Sequence, residues 1–138
     1  MIRVEEMAAQ LRLTNTRLHR ALRRESHVDL TPSQISALAT INRLGPLTLG
    51  SLAEQEGVAP PSITKILAVL EDDGYVTRAP DPDDRRVSFV TATKKGVELI
   101  EESRRRKTAW LTDRLRQLTS DERRRLADAL DVLEGLTK

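Results

Sequence analysis

Residues 59–92 read APPSITKILAVLEDDGYVTRAPDPDDRRVSFVTA, and the hydrophobic period changes in the middle of them. In the first half, Ile63, Ile66, Leu67 and Leu70 recur at steps of three and four or as neighbours, the stripe of a helix. Ala59-Pro60-Pro61-Ser62 suits its start, because proline at the first helical positions gives up an N–H that has no partner there anyway. Gly74 is expected as its C-terminal cap. Past Gly74, Tyr75–Ala79 and Val87–Thr91 are rich in β-branched and aromatic residues, and the polar loop Pro80–Arg86 joins them as a hairpin.

Working outward, Thr31-Pro32 reads as an N-cap followed by proline, opening a helix through Ile35, Leu38, Ile41 and Leu44 that ends near Gly45-Pro46. Thr48 caps a short helix carrying Leu49, Leu52 and Ala53, which Gly57 stops. Two short helices across a glycine-containing turn make a helix-turn-helix, and a hairpin directly behind makes it winged. The expected fold class is mainly α with a small β-hairpin wing (α+β). Three further helices flank this segment. From Val4 to Leu22 the seam is Val4, Met7, Leu11, Thr14, Leu18 and Ala21. A long helix runs from about Thr93 to Leu118, and another from Ser120 to Leu136, stepping through Leu126, Ala129 and Leu133. These seams need partners.

The 138 residues allow one functional unit with a real core. With charged residues at 32% and aromatics at 2%, that core is built from Leu, Ile, Val and Ala. The absence of cysteine removes disulfides, thiolate metal sites and any thiol-based redox sensor. The start of the chain has no apolar run of signal-peptide length, and no segment approaches the ~20 apolar residues of a membrane span, so a soluble, cytoplasmic protein is expected. No nucleophile triad, phosphate loop or HExxH spacing is present, and His19 and His27 stand without companion ligands, so neither catalysis, nor a metal, nor a cofactor is expected. The net charge is +2, but residues 29–91 hold five Lys/Arg against nine Asp/Glu, a net −4. Bulk charge thus opposes DNA binding by the middle segment, and individual cations must carry it. The rival reading is a winged helix used as a protein-protein interaction module.

Opposite the stripe of Ile63, Leu67 and Leu70 lie Pro61, Thr64, Lys65 and Ala68, small, hydroxylated or cationic side chains suited to a major groove. Arg85 and Arg86 sit at the projecting hairpin tip, placed to reach a minor groove, with Asp84 as a brace. Asp81, Asp83 and Asp84 dilute that tip's positive charge.

Residues 30–96, and within them Ser62-x-Thr64-Lys65-x-x-x-x-Leu70-Glu71-x-x-Gly74-Tyr75-Val76-x-Arg78 and Asp81-Pro82-x-Asp84-Arg85-Arg86, resemble the MarR family, the multiple antibiotic resistance regulators. Ala92 stands where that family commonly has Leu, a departure that concerns packing at the wing base. The resemblance implies a double-stranded DNA-binding transcriptional regulator, a ligand-responsive repressor acting as a homodimer on a pseudo-palindromic operator. Its wing arginine carries over to Arg86 and its supporting aspartate to Asp84. Residues 1–28 then form an N-terminal dimerisation helix, 29–92 the DNA-binding domain, and 93–138 a linker helix and a C-terminal dimerisation helix. Candidate DNA-binding residues are Pro61, Ser62, Thr64, Lys65, Ala68, Arg78, Asp84, Arg85 and Arg86. His19, Arg23 and Trp110 are candidates for a pocket binding a small aromatic or anionic effector.

Overall fold

Thr31 opens the first helix of the middle segment with a reciprocal cap: its hydroxyl accepts from Gln34 N, and the Gln34 side chain accepts from Thr31 N. The computed structural model describes residues 1–138, which form α1 (Val4–Glu25), α2 (Pro32–Leu44), β1 (Leu47–Thr48), α3 (Leu49–Glu56), α4 (Pro60–Asp72), β2 (Val76–Pro80), β3 (Ser88–Ala92), α5 (Lys94–Arg116) and α6 (Ser120–Gly135). They fall into two units, Val28–Arg104 and Met1–His27 with Arg105–Lys138.

In the first unit, Leu38 and Ile41 of α2, Leu52 of α3, and Ile63, Leu67 and Leu70 of α4 are fully buried together, with Val76 and Val90 closing the core from the sheet. Burying each such side chain is worth about 1.5–3 kcal/mol, which is why the expected stripes fix the packing of these helices. The hairpin β2/β3 pairs antiparallel, Val76 opposite Ala92 through Pro80 opposite Ser88. A third strand, which the sequence pattern does not show, lies on the other side of β3: Leu47 pairs with Val90 and Thr48 with Phe89, giving the order β1-β3-β2. Thr48 thus ends a strand and caps α3 at once, its hydroxyl accepting from Ser51 N at 3.1 Å.

Gly57 stops α3 in the left-handed region at φ 65°, as expected of a C-terminal glycine. Gly74 instead follows the cap: Asp73 occupies the C-cap of α4, and Gly74 turns the chain at φ 78°. The start of α5 is bolted to that corner. Thr93 Oγ1 donates to Gly74 O at 2.6 Å, Lys95 Nζ donates to Asp73 O at 2.6 Å, and Gly96 packs so closely that a Cβ there would overlap the Tyr75 carbonyl oxygen.

In the second unit neither α1 nor α6 buries a residue. Thr119, not Ser120, caps α6, with Glu122 completing the capping box. Arg123 Nη1 closes the preceding corner, donating to the carbonyls of Leu118, Leu115 and Arg116 at 3.0, 3.3 and 3.4 Å. No helix is long and apolar enough to cross a membrane.

Candidate nucleic-acid interface

Because α4 turns Ile63, Leu67 and Leu70 fully into the core, its other side is free: Pro61, Ser62, Thr64, Lys65 and Ala68 are all exposed. Lys65 stands near the centre of that face. The Thr64 hydroxyl is turned back, donating to Pro60 O at 3.1 Å, so it offers a methyl and lone pairs to a partner. Val69 is also exposed, at 37%, an outward valine that the helical stripe alone does not single out.

Of the three acids ending α4, Glu71 is engaged. Arg78 on β2 reaches back across the Gly74 turn and forks onto it, with Nε 3.1 Å from Oε2 and Nη2 3.4 Å from Oε1. Arg78 is therefore tied to α4 itself, and one negative charge beside the exposed face of that helix is compensated.

The wing tip orders itself with its own carboxylates. Asp81 Oδ1 accepts from Asp83 N at 2.9 Å, and Asp84 Oδ1 accepts from Arg86 N at 3.0 Å, two Asx turns in succession. Asp81 N donates to Val87 O and Val87 N to Asp84 O, closing the loop. The same Asp84 carboxylate grips the Arg86 guanidinium, Nε to Oδ1 at 3.1 Å and Nη2 to Oδ2 at 3.3 Å. These bonds from the Arg86 side chain, then from its N–H, hold the Asp84 carboxyl below the usual carboxylate range. The Arg86 side chain nevertheless stays 91% exposed, fixed at its base and open at its face. Arg85 beside it is exposed. Between this tip and the start of α3 lies a cleft of about 250 Å³ lined by Thr48, Leu49, Gly50, Arg86, Val87 and Ser88. Helix, cleft and wing thus present Lys65, Arg85 and Arg86 from a unit with one closed core.

The candidate effector residues lie in the other unit. His19 and Arg23 are both exposed, one turn apart on α1, and Trp110 on α5 is half-buried with the Arg114 guanidinium 5.1 Å from its ring centre.

The sequence profile of the MarR family matches residues 30–88, the helix-turn-helix and most of the wing. An uncharacterised HTH-type transcriptional regulator of Mycobacterium leprae is 41% identical over 128 residues, covering 92% of this chain and 90% of the relative. A transcriptional regulator of Thermotoga maritima superposes with a TM-score of 0.75 at 30% identity, covering 93% of this chain and 94% of that one. A mutant MepR of S. aureus, solved bound to an oligodeoxyribonucleotide, shares the fold at a TM-score of 0.76 and 18% identity over 96% of this chain and 98% of that one. With the family profile seated on the helix-turn-helix and wing, and identity carried on through the flanking helices, the chain belongs to the MarR family of transcriptional regulators.

Proposed function

We propose that this regulator is a ligand-responsive repressor that binds a pseudo-palindromic operator as a homodimer, with residues 29–92 docking on DNA and residues 1–28 and 93–138 joining the two copies. The observation that carries the DNA half of this reading is the braced wing: an arginine gripped at its base by Asp84 yet 91% exposed, behind a helix whose outward face holds Lys65. A pre-ordered guanidinium loses less freedom on binding, and the negative potential of a narrow minor groove attracts it. The fold is also one on which MepR of S. aureus holds an oligodeoxyribonucleotide. Pro61, Ser62, Thr64, Lys65 and Ala68 then face the major groove, Arg85 and Arg86 the flanking minor groove, and Arg78 acts through Glu71. The dimer rests on the uncovered seams of α1 and α6, and two-fold symmetry sets half-sites about one turn, ~34 Å, apart. For the effector, His19 and Arg23 offer cationic and hydrogen-bonding groups and Trp110 an aromatic face, chemistry that suits a small aromatic anion.

The test is a titration of wild type, Lys65→Ala and Arg86→Ala on duplexes carrying the upstream region of the chain's own gene, at several salt concentrations. Lys65→Ala should flatten the slope of log K against log salt by ~0.9 for each phosphate it no longer neutralises. Arg86→Ala should cost most on A·T-rich flanks, where the minor groove is narrow. Unchanged affinity in both variants would overturn the docking, and no binding at low salt would favour a protein-interaction module.

A further inference from the structure

How α4 can tell one base pair from another is constrained by what it lacks. Reading a base edge with paired hydrogen bonds takes Arg or Lys on guanine and Asn or Gln on adenine, and of these Pro60–Asp72 contains only Lys65, whose ammonium is a compact charge on a flexible stem without the planar fork of Arg. Thr64 has turned its hydrogen back to Pro60 O, and Glu71 is occupied by Arg78. The donors left on the outward face are Ser62 and Lys65. Neither a hydroxyl nor a freely rotating ammonium fixes a base by its direction alone, because guanine O6 and N7, adenine N7 and thymine O4 all accept from it. What the face does present is apolar: Ala68 and Val69 lie side by side in mid-helix, near Lys65, and Val69 is exposed although the core has room only for the opposite stripe. The only apolar group on a major-groove base edge is the thymine C5 methyl.

We infer that the half-site is read chiefly through thymine methyl groups, with Val69 and Ala68 as the specificity-determining residues and Lys65 supplying attraction rather than identity. This rests on the DNA-binding reading above and adds what is recognised. Each thymine methyl removed from water against these side chains should be worth about fourfold in affinity, the equivalent of one buried methylene.

The test alters the DNA and leaves the protein whole. An operator is enriched from random duplexes, then resynthesised with deoxyuridine replacing thymine one position at a time, which removes the methyl and keeps the base pair. The expected result is a loss of about fourfold at one or two thymines within each half-site. Val69→Ala or Ala68→Ser should shrink that loss at its own thymine and leave the losses at the other thymines as they are in wild type. Both side chains are exposed, so these variants are expected to fold. Restoring a methyl as 5-methylcytosine at a thymine-preferring position should recover part of the cost of cytosine there. Sequence-specific binding that is indifferent to uracil at every position would overturn methyl reading while leaving the function standing. A uracil penalty unchanged in both variants would overturn the assignment to Val69 and Ala68. Enrichment of no sequence at all would overturn the DNA-binding reading itself, and this inference with it.

Discussion

Helices α2, α3 and α4 bury Leu38, Ile41, Leu52, Ile63, Leu67 and Leu70 completely, whereas the longer α1 and α6, both amphipathic, bury nothing: Leu130 is 55% exposed and Val132 62%. Both regions carry apolar residues at helical spacing, so amphipathicity alone does not separate them. The difference is whether the same chain supplies the cover. In the winged-helix unit, three helices and a sheet close on one another. In the flanking unit the leucine seams remain open, which is the physical ground for a second copy.

The contrast breaks most sharply at Gly96. A side chain there would overlap the Tyr75 carbonyl oxygen and lie 3.2 Å from Leu38 Cδ1, with backbone on one side and filled core on the other. Gly96→Ala should therefore destabilise the winged-helix unit by about 3 kcal/mol or more, read as a shift in the urea midpoint. Gly50→Ala, where nothing lies within 4 Å of the added carbon, is the control and should be neutral or stabilising by up to about 1 kcal/mol. Equal effects at the two glycines would show that the close approach does not exist in solution.

Next in size comes the open seam. Leu126→Glu with Leu130→Glu replaces two exposed leucines of α6, which within one chain should cost little. If the seam is a dimer interface, each leucine removed should cost about 2 kcal/mol per copy, and the variant should sediment as a monomer at micromolar concentration while its winged helix stays folded. A wild-type chain already monomeric under those conditions would remove the dimer from the proposal.

The length scale of each signal decides how much of the fold is legible in the sequence. The stripes of α2 and α4 and the change of period at Gly74 extend over many residues, and the helix-turn-helix and hairpin follow from them directly. Strand β1 has two residues, too few to show alternation, and exists because Leu47 and Thr48 meet Val90 and Phe89 from far along the chain. At the wing, Asp84 reads in the sequence as a brace for an arginine and, with Asp81, as charge that weakens a basic tip. In the structure each accepts from the N–H two residues on, so both build the turn. Asp-x-Asp and Asp-x-Arg are spacings from which Asx turns can be read without a structure. The Arg78 partner cannot be read in that way, because Glu71 lies on a different element, seven residues back across a turn.

A smaller effect concerns how α6 begins. Thr119 and Ser120 are both good capping residues, and the structure chooses Thr119 because only then is Glu122 three positions on, able to bond back. Thr119→Ala should lower stability by about 1 kcal/mol, whereas Ser120→Ala should change little, as thermal melts of the two variants would show. The Thr119 N–H, then its hydroxyl, holds the Glu122 carboxyl below its ordinary value. A lowered folded value means that the cap's contribution is complete above the unfolded carboxylate range and fades only as pH falls through the folded one. The Thr119 N–H survives in Thr119→Ala, so the variant that reads this is Glu122→Ala, whose difference from wild type should be constant from about pH 6 to 8 and shrink in acid.

The smallest expected effect tests whether Arg78 touches DNA or merely cancels Glu71. The pair is partly exposed, and such pairs contribute about 0–1 kcal/mol, so changes in DNA affinity should stay within about fivefold. Arg78→Gln alone leaves Glu71 uncompensated beside a phosphate backbone and should weaken binding. A phosphate-contacting arginine would give the same result, so the single variant does not discriminate. The double variant Glu71→Gln/Arg78→Gln does, because it restores the net charge of that corner without restoring the guanidinium. If Arg78 acts only through Glu71, the double variant should bind as wild type does and keep the wild-type salt slope. If Arg78 touches phosphate, it should bind as weakly as Arg78→Gln or nearly so, with the slope lowered by ~0.9 for each phosphate left unneutralised. The distances of 3.1 and 3.4 Å to Glu71 favour recovery, and a double variant as weak as the single one would return Arg78 to the DNA-contacting set with Lys65 and Arg86.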